Sequence, residues 1–424
     1  MERLRIDRVG VDGDGVGHLP DGKPVYLPFT LPGETVEATL TEQRGQGWTG
    51  DATVVDASPD RVLPPCPHFG PCGGCSLQHW SDARYAEWKT GLLRAALVRA
   101  GFTDAVIAPL VRTPPGARRR MELAAKRMPS GVALGLHVRN GRAVVDLADC
   151  AVLHPSLAEL VPGLRDLLRG LSGLKREGDV LVNLLDEGPD ILLRIDGNLT
   201  TPDRTKLAAF ATAWGAPRIS VSRDGARPEI AAQIRPARMT LSGTEISPAA
   251  GAFLQASAEG EAAIIAAMLA GLPPKLSRKA QVAELYSGCG SLTFALAKQV
   301  RVTAFDGDLD LTTALAGGAN QSGQAGRISV TRRDLTRQPL SAKEFAPFKA
   351  VVLDPPHGGA AAQTEQIAAS GIARVIYVSC NPATLERDAA VLRLAGYKLL
   401  SATPIDQFLW SARLESVVVF DRSK

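Results

Sequence analysis

A cysteine closes an apolar run near the carboxyl end of the chain. Residues 374–382 read RVIYVSCNP, in which β-branched residues lead to Cys380 and the following Asn-Pro cannot continue a strand. A buried strand that ends on a thiol presents its sulfur at the carboxyl edge of a sheet, where open α/β sheets keep their ligand crevice. A cysteine placed there can act as a nucleophile, although a lone cysteine can equally be a small buried hydrophobe. The choice between the two depends on its neighbours.

A glycine turn supplies a second candidate site. An apolar strand that ends at Tyr286 leads into a turn containing Gly288 and Gly290, and a helix begins two residues later. Glycines at such a turn let the main chain approach a ligand where a side chain would collide. Asp306 ends the next strand, 20 residues after Tyr286, where a carboxylate can hydrogen-bond ribose hydroxyls. The third glycine of the dinucleotide fingerprint is missing, so the turn favours a nucleoside without a pyrophosphate, such as S-adenosylmethionine.

A carboxylate ends a further strand. Asp354 is followed by two prolines, and each proline fixes its own φ and restricts the residue before it. The carboxylate is therefore held rigidly. A stiff loop of this kind can position a polar group against a flat base, and it can equally be a simple turn after a strand.

Three cysteines lie close together in a segment rich in Gly and Pro, spaced C-x5-C-x2-C: Cys66, Cys72 and Cys75. Three thiolates within ten residues favour metal ligation over core packing. Zinc would need a further ligand, and His68 and His79 are nearby. An iron-sulfur cluster needs a fourth thiolate, and Cys150 is the one other cysteine in the first half of the chain. The spacing leaves zinc and an iron-sulfur cluster both open.

Three regions must position these groups. Residues 1–56 contain short strands between Gly and Asp turns, which predicts a small β-barrel of the OB-like kind. Residues 57–243 combine a predicted helix over 84–101 with strand-like segments, which predicts an α+β domain. In residues 244–424 strands alternate with helices, which predicts an α/β domain with a mostly parallel, doubly wound sheet. Its predicted strands are residues 282–286, 302–306, 328–331, 350–353, 375–378, 398–402 and 417–420.

Composition bounds the class of protein. At 424 residues, with 45% apolar and 22% charged residues, the chain suits two or three globular domains. The formal net charge of +4 permits a polyanionic partner, and a basic segment is a candidate for contacting phosphates or is simply a solvated face: Arg118, Arg119, Arg120, Lys126 and Arg127. The longest apolar run, residues 262–272, is well short of a bilayer span. We expect a cytoplasmic protein that contacts no membrane.

Taken together, these motifs resemble the RNA uracil-5 methyltransferase family, in particular its iron-sulfur-containing members that modify 23S ribosomal RNA. The likeness covers most of the chain. It includes an N-terminal barrel like the TRAM domain and the C-x5-C-x2-C spacing. It also includes five short motifs: F-x-Q at 253–255, E-L-Y-x-G-x-G at 284–290, D-P-P at 354–356, S-C-N-P at 379–382 and L-E-S at 414–416.

The resemblance implies a class I, Rossmann-like methyltransferase that methylates C5 of a uridine in RNA through a covalent bond between Cys380 and the uracil C6. Glu415 is then the base. It implies a [4Fe-4S] cluster, which decides against zinc, held by four cysteines: Cys66, Cys72, Cys75 and Cys150. It implies contacts to S-adenosylmethionine from Gln255, Tyr286, Ser291, Asp306, Asp334 and Asp354, beside the Gly288 and Gly290 turn. The expected partner is 23S rRNA or a pre-ribosomal particle, bound by a monomer. Because the thiol must ionise, we also expect a polar or electropositive setting around Cys380.

Several positions depart from the family pattern. His357 stands where an arginine commonly follows D-P-P, Asp306 replaces a glutamate, and Ser257 replaces an asparagine. Trp410 and Arg413 stand where histidines are common. The catalytic pair is kept, so these departures concern the choice of substrate and not the reaction class. Three alternatives are open: methylation of a uridine in tRNA or another RNA, methylation of an exocyclic amine, and a cluster-containing RNA-binding protein without this activity. Only uridine methylation needs Cys380 as a nucleophile, so this residue distinguishes it from the last two.

Overall fold

The computed structural model describes residues 1–223 and 225–422. Its first part is a six-stranded sheet: β1 (Glu2–Arg5), β2 (Arg8–Val9), β3 (Gly15–His18), β4 (Pro24–Leu27), β5 (Thr35–Arg44) and β6 (Gly47–Asp56), in the order β1-β5-β6-β4-β3-β2. Gly17 in β3 packs so closely on β1 that a Cβ there would lie 2.7 Å from Arg5 O. The sheet therefore curls around its own apolar core, which confirms the predicted barrel. The short strand β3 was not predicted.

The segment after the barrel begins with the loop that carries Cys66, Cys72 and Cys75, called here the cysteine loop. It continues with α1 (Asp82–Arg99) and β7 (Val111–Arg112). The predicted domain boundary at residue 57 placed this segment in the central domain. The structure instead packs Leu93 and Leu97 of α1 into the core of the C-terminal domain, beside Tyr377. An amphipathic pattern predicts which face of a helix is buried and leaves open which sheet covers it, so the partner of α1 could not be read from its sequence.

The central domain is α+β, as predicted. Its elements are β8 (Arg120–Met128), β9 (Gly131–His137), β10 (Val144–Asp146), α2 (Pro155–Gly170), β11 (Glu177–Leu185), β12 (Gly188–Ile195), α3 (Thr201–Trp214), β13 (Arg218–Ser222) and β14 (Glu229–Gln233). The strands form one sheet in the order β10-β9-β8-β11-β12-β13-β14. Leucines of α2, such as Leu160 and Leu164, and Leu207 of α3 share a core with the sheet. A two-stranded sheet, β15 (Met239–Leu241) with β16 (Thr244–Ile246), leads into the last domain.

The C-terminal domain has the predicted α/β architecture. Its elements are α4 (Ala258–Gly271), β17 (Gln281–Leu285), α5 (Thr293–Ala297), β18 (Arg301–Asp306), α6 (Leu309–Gln321), β19 (Ile328–Arg332), β20 (Phe348–Leu353), α7 (Ala361–Ser370), β21 (Arg374–Ser379), α8 (Pro382–Leu394), β22 (Lys398–Asp406) and β23 (Glu415–Asp421). The sheet order is β19-β18-β17-β20-β21-β23-β22-β7. Strands β17 to β21 are parallel, and β23 is antiparallel to both neighbours. Separate apolar cores cover the two faces.

This topology gathers the site residues at one edge. Because β17 to β21 are parallel, their carboxyl ends all lie at the same edge of the sheet, which is where ligands bind in open α/β sheets. Because β23 runs the other way, its first residue, Glu415, lies at that same edge. None of the helices in the described part of the chain is long and apolar enough to cross a membrane.

Candidate active site

The two residues with predicted catalytic roles lie at the same end of two paired strands. Ser379, the last residue of β21, is the register partner of Ser416 in β23, and Ser416 Oγ donates to Ser379 O at 3.3 Å. Cys380 and Glu415 are the next residues along each strand, at the carboxyl edge. Cys380 is half-buried, whereas Glu415 is 3% exposed. The thiol is therefore accessible from the edge of the sheet and is not packed in hydrocarbon.

The electrostatic surroundings of the thiol differ from the expectation. Burial, followed by the Glu415 and Asp354 carboxyls, raises the pKa of Cys380 to about 11, and the Arg413 guanidinium opposes this. Of the expected polar or electropositive setting, the electropositive alternative is wrong, because two carboxyls approach the thiol from the neighbouring strand ends. The setting is nonetheless polar, since His357 Nδ1 lies 3.9 Å from Cys380 Sγ.

A chain of amides joins the two carboxyls. Gln407 Nε2 donates to Glu415 Oε2 at 2.8 Å and to Gln255 Oε1 at 2.9 Å. Gln255 Nε2 in turn donates to Asp354 Oδ2 at 3.1 Å, and Ala256 N donates to Gln407 Oε1. Glu415 Oε1 is buried and has no hydrogen-bond partner among the residues that the structure describes. One oxygen of the carboxyl is therefore held by protein, and the other is buried without a partner among the described residues.

Both carboxyls hold their protons more tightly than usual. Burial and the Asp354 charge raise the pKa of Glu415 well above its ordinary value, while the hydrogen bond from Gln407 lowers it. Burial likewise raises the pKa of Asp354, and the bond from Gln255 lowers it. A carboxyl of raised pKa is a stronger base when it is ionised, which suits proton abstraction near neutral pH.

The glycine turn after β17 lies beside Asp354, whose main-chain N donates to Leu285 O at the end of that strand. Tyr286 has φ 62°, and Gly288 and Gly290 have φ 56° and 104°, so the main chain turns sharply here. Gly290 has a φ of 104°, which L side chains rarely adopt, and a Cβ there would lie 2.6 Å from Leu315 Cδ1 of α6 and 2.7 Å from Phe294 Cε2, so glycine is required. Asp306, the last residue of β18, accepts from Gly288 N at 2.9 Å and so fixes the turn.

The remaining predicted cofactor residues follow the neighbouring strand ends. Asp334 is exposed just after β19, and its Oδ1 accepts from the main-chain N of Thr336 and Arg337. Ser291 is half-buried at the start of the helical turn. The predicted cofactor residues that follow β17, β18, β19 and β20 are thus at one edge of the sheet, and Gln255 joins them through its hydrogen bond to Asp354.

The four cysteines with a predicted metal role line one cavity of about 350 Å³, which Arg118 and Gln407 also line. Burial raises the pKa of Cys72 and Cys150, and that of Cys75 to about 12, and the thiols add to this effect on one another. Over residues 1–223 and 225–422, no three His, Cys, Asp or Glu side chains are arranged to hold a single metal ion.

The nearby histidines have other surroundings. His68 Nε2 accepts from Ala148 N at 2.9 Å. His79 is 1% exposed, lies against the rings of Phe29 and Phe69, and its nitrogens have no hydrogen-bond partner in the described part of the chain. His68 is therefore occupied by the backbone, and His79 is enclosed by aromatic rings.

Known protein families match both ends of the chain. Residues 328–423 match the family model of tRNA (Uracil-5-)-methyltransferase, and residues 2–55 match the TRAM domain. An uncharacterized RNA methyltransferase of Brucella melitensis is 36% identical over 422 residues, which span 100% of this chain and 98% of that protein. The 23S rRNA (uracil(1939)-C(5))-methyltransferase RlmD of Chromohalobacter salexigens is 32% identical and is covered over 89% of its length by 99% of this chain. The chain belongs to the RNA uracil-5 methyltransferase family.

A solved structure extends the likeness to the whole fold of this methyltransferase. The tRNA (uracil-54, C5)-methyltransferase of Pyrococcus abyssi, solved in complex with S-adenosyl-L-homocysteine, matches with a TM-score of 0.73. The match covers 99% of this chain and 100% of that one at 18% identity. The two proteins share the arrangement of barrel, central domain and α/β domain.

The basic segment of the methyltransferase is only partly available to RNA. Arg119 pairs with Glu261 at 2.7 Å, and Arg127 donates to main-chain carbonyls near the end of α2, including Leu174 O at 2.8 Å. These two guanidinium groups hold the fold together, so the interpretation of the whole segment as a phosphate-contacting surface is wrong for them. Arg120 lies over the exposed ring of Phe253, 4.9 Å from its centroid.

Two residues of this site were not predicted. Gln407 joins Glu415 to Gln255, but it follows β22 in a segment without any motif, so nothing in the sequence marks it. Glu284 was used only as a letter of a motif. It is 2% exposed, and burial, with the charges of Asp354 and Asp306, raises its pKa to about 8.

Proposed function

We propose that this protein transfers a methyl group from S-adenosylmethionine to C5 of a uridine in 23S ribosomal RNA, with Cys380 bonded to C6 during the reaction. The observation that supports this most is the pairing of an accessible thiol with a buried carboxyl. Cys380 directly follows Ser379 of β21, whose register partner in β23 is Ser416, the residue after Glu415, and Glu415 Oε1 has no hydrogen-bond partner among residues 1–223 and 225–422.

The chemistry of uracil explains why a thiol and a base are both needed. C5 of uracil is a poor nucleophile toward a methyl sulfonium. When the Cys380 thiolate adds to C6, the ring electrons form an enolate whose C5 attacks the methyl group. Glu415 then removes the proton from C5, the C5–C6 double bond re-forms, and the sulfur leaves C6. Two easier steps replace one difficult step, and the thiolate is regenerated.

Gln407 is a positioning residue in this mechanism. Its amide holds Glu415 Oε2 and connects the carboxyl through Gln255 to Asp354. Because both amide groups are fixed in turn by buried partners, the carboxyl cannot rotate freely. The same bond opposes the rise of the Glu415 pKa that burial and the Asp354 charge cause, and so favours the carboxylate form.

The residues proposed to hold S-adenosylmethionine are Gln255, Tyr286, Gly288, Gly290, Ser291, Asp306, Asp334 and Asp354. S-adenosylmethionine supplies, when bound, an electrophilic methyl group and a positively charged sulfonium. The glycine turn leaves room for a nucleoside, and the carboxylate of Asp306 stands where it can accept from ribose hydroxyls. The acidic edge of the sheet favours a cationic ligand, and such a ligand lowers the pKa of each group that gains a positive neighbour.

The four cysteines are proposed to hold a [4Fe-4S] cluster. A cluster takes one thiolate on each iron, so its ligands surround a body instead of converging on one ion. That requirement suits free thiols of Cys66, Cys72, Cys75 and Cys150 around one cavity. Binding to iron requires the deprotonated thiolate, which the burial of these thiols opposes in the protein alone. We place the cluster in a structural role, tying the cysteine loop to the central domain.

The choice of 23S rRNA depends on the relatives. The rRNA enzyme of Chromohalobacter salexigens is 32% identical over nearly the whole chain, whereas the tRNA enzyme of Pyrococcus abyssi is 18% identical and shares only the fold. The TRAM-like barrel and the exposed Phe253 give an RNA partner polar and aromatic surface near the site. A base within folded RNA must be unstacked to reach the thiol, at a cost of a few kcal/mol. We propose that a monomer acts in the cytoplasm on free rRNA or on a pre-ribosomal particle.

The function is tested by mapping 5-methyluridine in rRNA and tRNA from a strain that lacks this protein. We expect one or more 5-methyluridines to disappear from 23S rRNA, to return with the wild-type gene and to stay absent with Cys380→Ala. Loss from tRNA alone would refute the choice of RNA, and restoration by Cys380→Ala would refute the thiol mechanism. Iron and sulfide analysis after anaerobic purification tests the cluster, and stoichiometric zinc would overturn it.

A further inference from the structure

The loop after β20 brings an imidazole to the nucleophile. His357 follows the rigid Pro355-Pro356 pair, and its Nδ1 lies 3.9 Å from Cys380 Sγ. Arg387 of α8 donates to Gly358 O at 3.1 Å and holds the loop against the helix. The side chain of His357 is exposed to solvent on its outer side. The imidazole therefore stands between solvent and the sulfur, in direct contact with the reacting atom.

Asn381 contacts the other nitrogen of the His357 ring. As the N-cap of α8, its Oδ1 accepts from Ala383 N at 3.0 Å. This fixes the amide so that Nδ2, which can only donate, faces His357. Asn381 Nδ2 donates to His357 O at 3.0 Å and lies 3.4 Å from His357 Nε2. Asn381 Nδ2 carries two protons, and with one donated to His357 O the other can be accepted by His357 Nε2, an arrangement in which the ring proton is on Nδ1.

We infer that neutral His357, protonated on Nδ1, donates a hydrogen bond to Cys380 Sγ and stabilises the thiolate that attacks the uracil ring. This inference rests on the proposed role of Cys380. The thiol proton leaves to solvent, because Nδ1 already carries a proton, and the electron pair stays on sulfur until it forms the bond to C6. His357 is a catalytic residue in this sense, since it touches the nucleophilic atom, and it does not act as the base.

The charges around the sulfur explain why such a donor is needed. The Glu415 and Asp354 carboxyls face Cys380 from β23 and β20, and the Arg413 guanidinium is the opposing charge. Burial and the two carboxyls disfavour the thiolate. An N–H donor 3.9 Å from Cys380 Sγ stabilises the thiolate against these two carboxyls, because a hydrogen bond to the charged form of a group favours that form.

Alkylation of Cys380 measures this hydrogen bond without RNA or methyl donor. Full-length protein is treated with iodoacetamide across a pH series, and the tryptic peptide 375–387, in which Cys380 is the single cysteine, is quantified by mass spectrometry. We expect wild-type alkylation to rise through one ionisation. His357→Ala should raise the apparent pKa of Cys380 by about one unit and slow its alkylation about tenfold below that pKa. His357→Asn, whose amide N–H replaces Nδ1–H, should retain most of the wild-type rate.

Several outcomes would refute the hydrogen bond from His357 to Cys380. An unchanged thiol pKa in His357→Ala, or a loss in His357→Asn as large as in His357→Ala, would overturn the hydrogen bond. A wild-type profile with two ionisations, as an imidazolium–thiolate pair gives, would overturn the neutral donor, as would ¹⁵N spectra that place the His357 proton on Nε2. Because His357 is exposed, these variants should fold normally. Failure here leaves the methylation and adduct experiments unaffected, so the two proposals can be refuted separately.

Discussion

The loop that carries Gln407 to Arg413 is held on α1 by a buried ion pair. Lys89 Nζ donates to Asp406 Oδ1 at 2.9 Å and to Arg413 O, and neither charged side chain is exposed. Tyr85, one turn earlier on α1, donates to Asp406 Oδ2 at 2.8 Å and accepts from Trp410 N at 2.7 Å. The pair thus connects both ends of the segment that precedes Glu415.

Lys89→Met tests how much this connection stabilises the protein. Methionine fills the space of the lysine stem but leaves Asp406 with a buried charge and Arg413 O without its donor. Removing one partner from a buried ion pair costs about 3–5 kcal/mol, and we expect about 4 kcal/mol because the Tyr85 hydroxyl still partners Asp406. Burial already lowers the pKa of Lys89, against the attraction of Asp406, so the pair itself contributes less than the cost of breaking it.

Urea unfolding of a double-mutant cycle separates these effects. We expect Asp406→Asn in the Lys89→Met background to recover about half of the lost free energy of unfolding, because the unpaired charge is gone and Asn Oδ1 can still accept from Tyr85. Fluorescence of the five tryptophans, which include the buried Trp410, follows the unfolding. A loss below about 1 kcal/mol in Lys89→Met, or simple additivity of the two changes, would refute the view that this pair fixes the loop.

Three further perturbations have defined outcomes. Gln407→Leu leaves the Glu415 and Gln255 oxygens without a donor, so kcat should fall about 100-fold and its acid limb should move to higher pH, with KM for RNA little changed. In Glu284 the pKa is raised from 4.5 to about 8 in the folded protein. The free energy of unfolding should therefore fall as the pH rises from 4.5 to about 8, by on the order of 3 kcal/mol at neutral pH. Glu284→Gln should remove this fall when urea unfolding is measured across that pH range. Gly290→Ala should cost about 2 kcal/mol of unfolding free energy through collision with Leu315, whereas Gly317→Ala, with open space in α6, should be neutral or stabilising.

Strand ends were the most predictable part of the site. Cys380, Asp354 and Asp306 each follow an apolar run, and parallel strands place such residues on one edge whatever the packing between them. The pattern therefore predicted which residues would be neighbours. It could not predict Gln407, because an amide that bridges two carboxyls is selected by geometry between β22 and β23 and requires no motif.

Interactions between distant parts of the chain were the least predictable. The helical period of α1 predicted a buried face, but its packing on the C-terminal core depends on the shape of the assembled domains. The acidity of the Cys380 surroundings depends on carboxyls that approach through space from other strands. In the sequence, Arg119 and Arg127 look like any other basic residues. Their contacts with Glu261 and with main-chain carbonyls, which only the structure shows, identify them as structural arginines and not RNA-binding ones.

The central proposal is the covalent bond between Cys380 and the uracil ring, and trapping that bond tests it most directly. Glu415→Gln removes the base while keeping the size of the side chain, so the methylated adduct should form and fail to break down. After incubation with substrate RNA and S-adenosylmethionine, we expect denaturing electrophoresis to show a protein–RNA species, and mass spectrometry to find a methylated uridine on the peptide containing Cys380. The Cys380→Ala, Glu415→Gln double variant should give no such species. A Glu415→Gln enzyme that turns over normally, or an adduct on any other residue, would contradict the account.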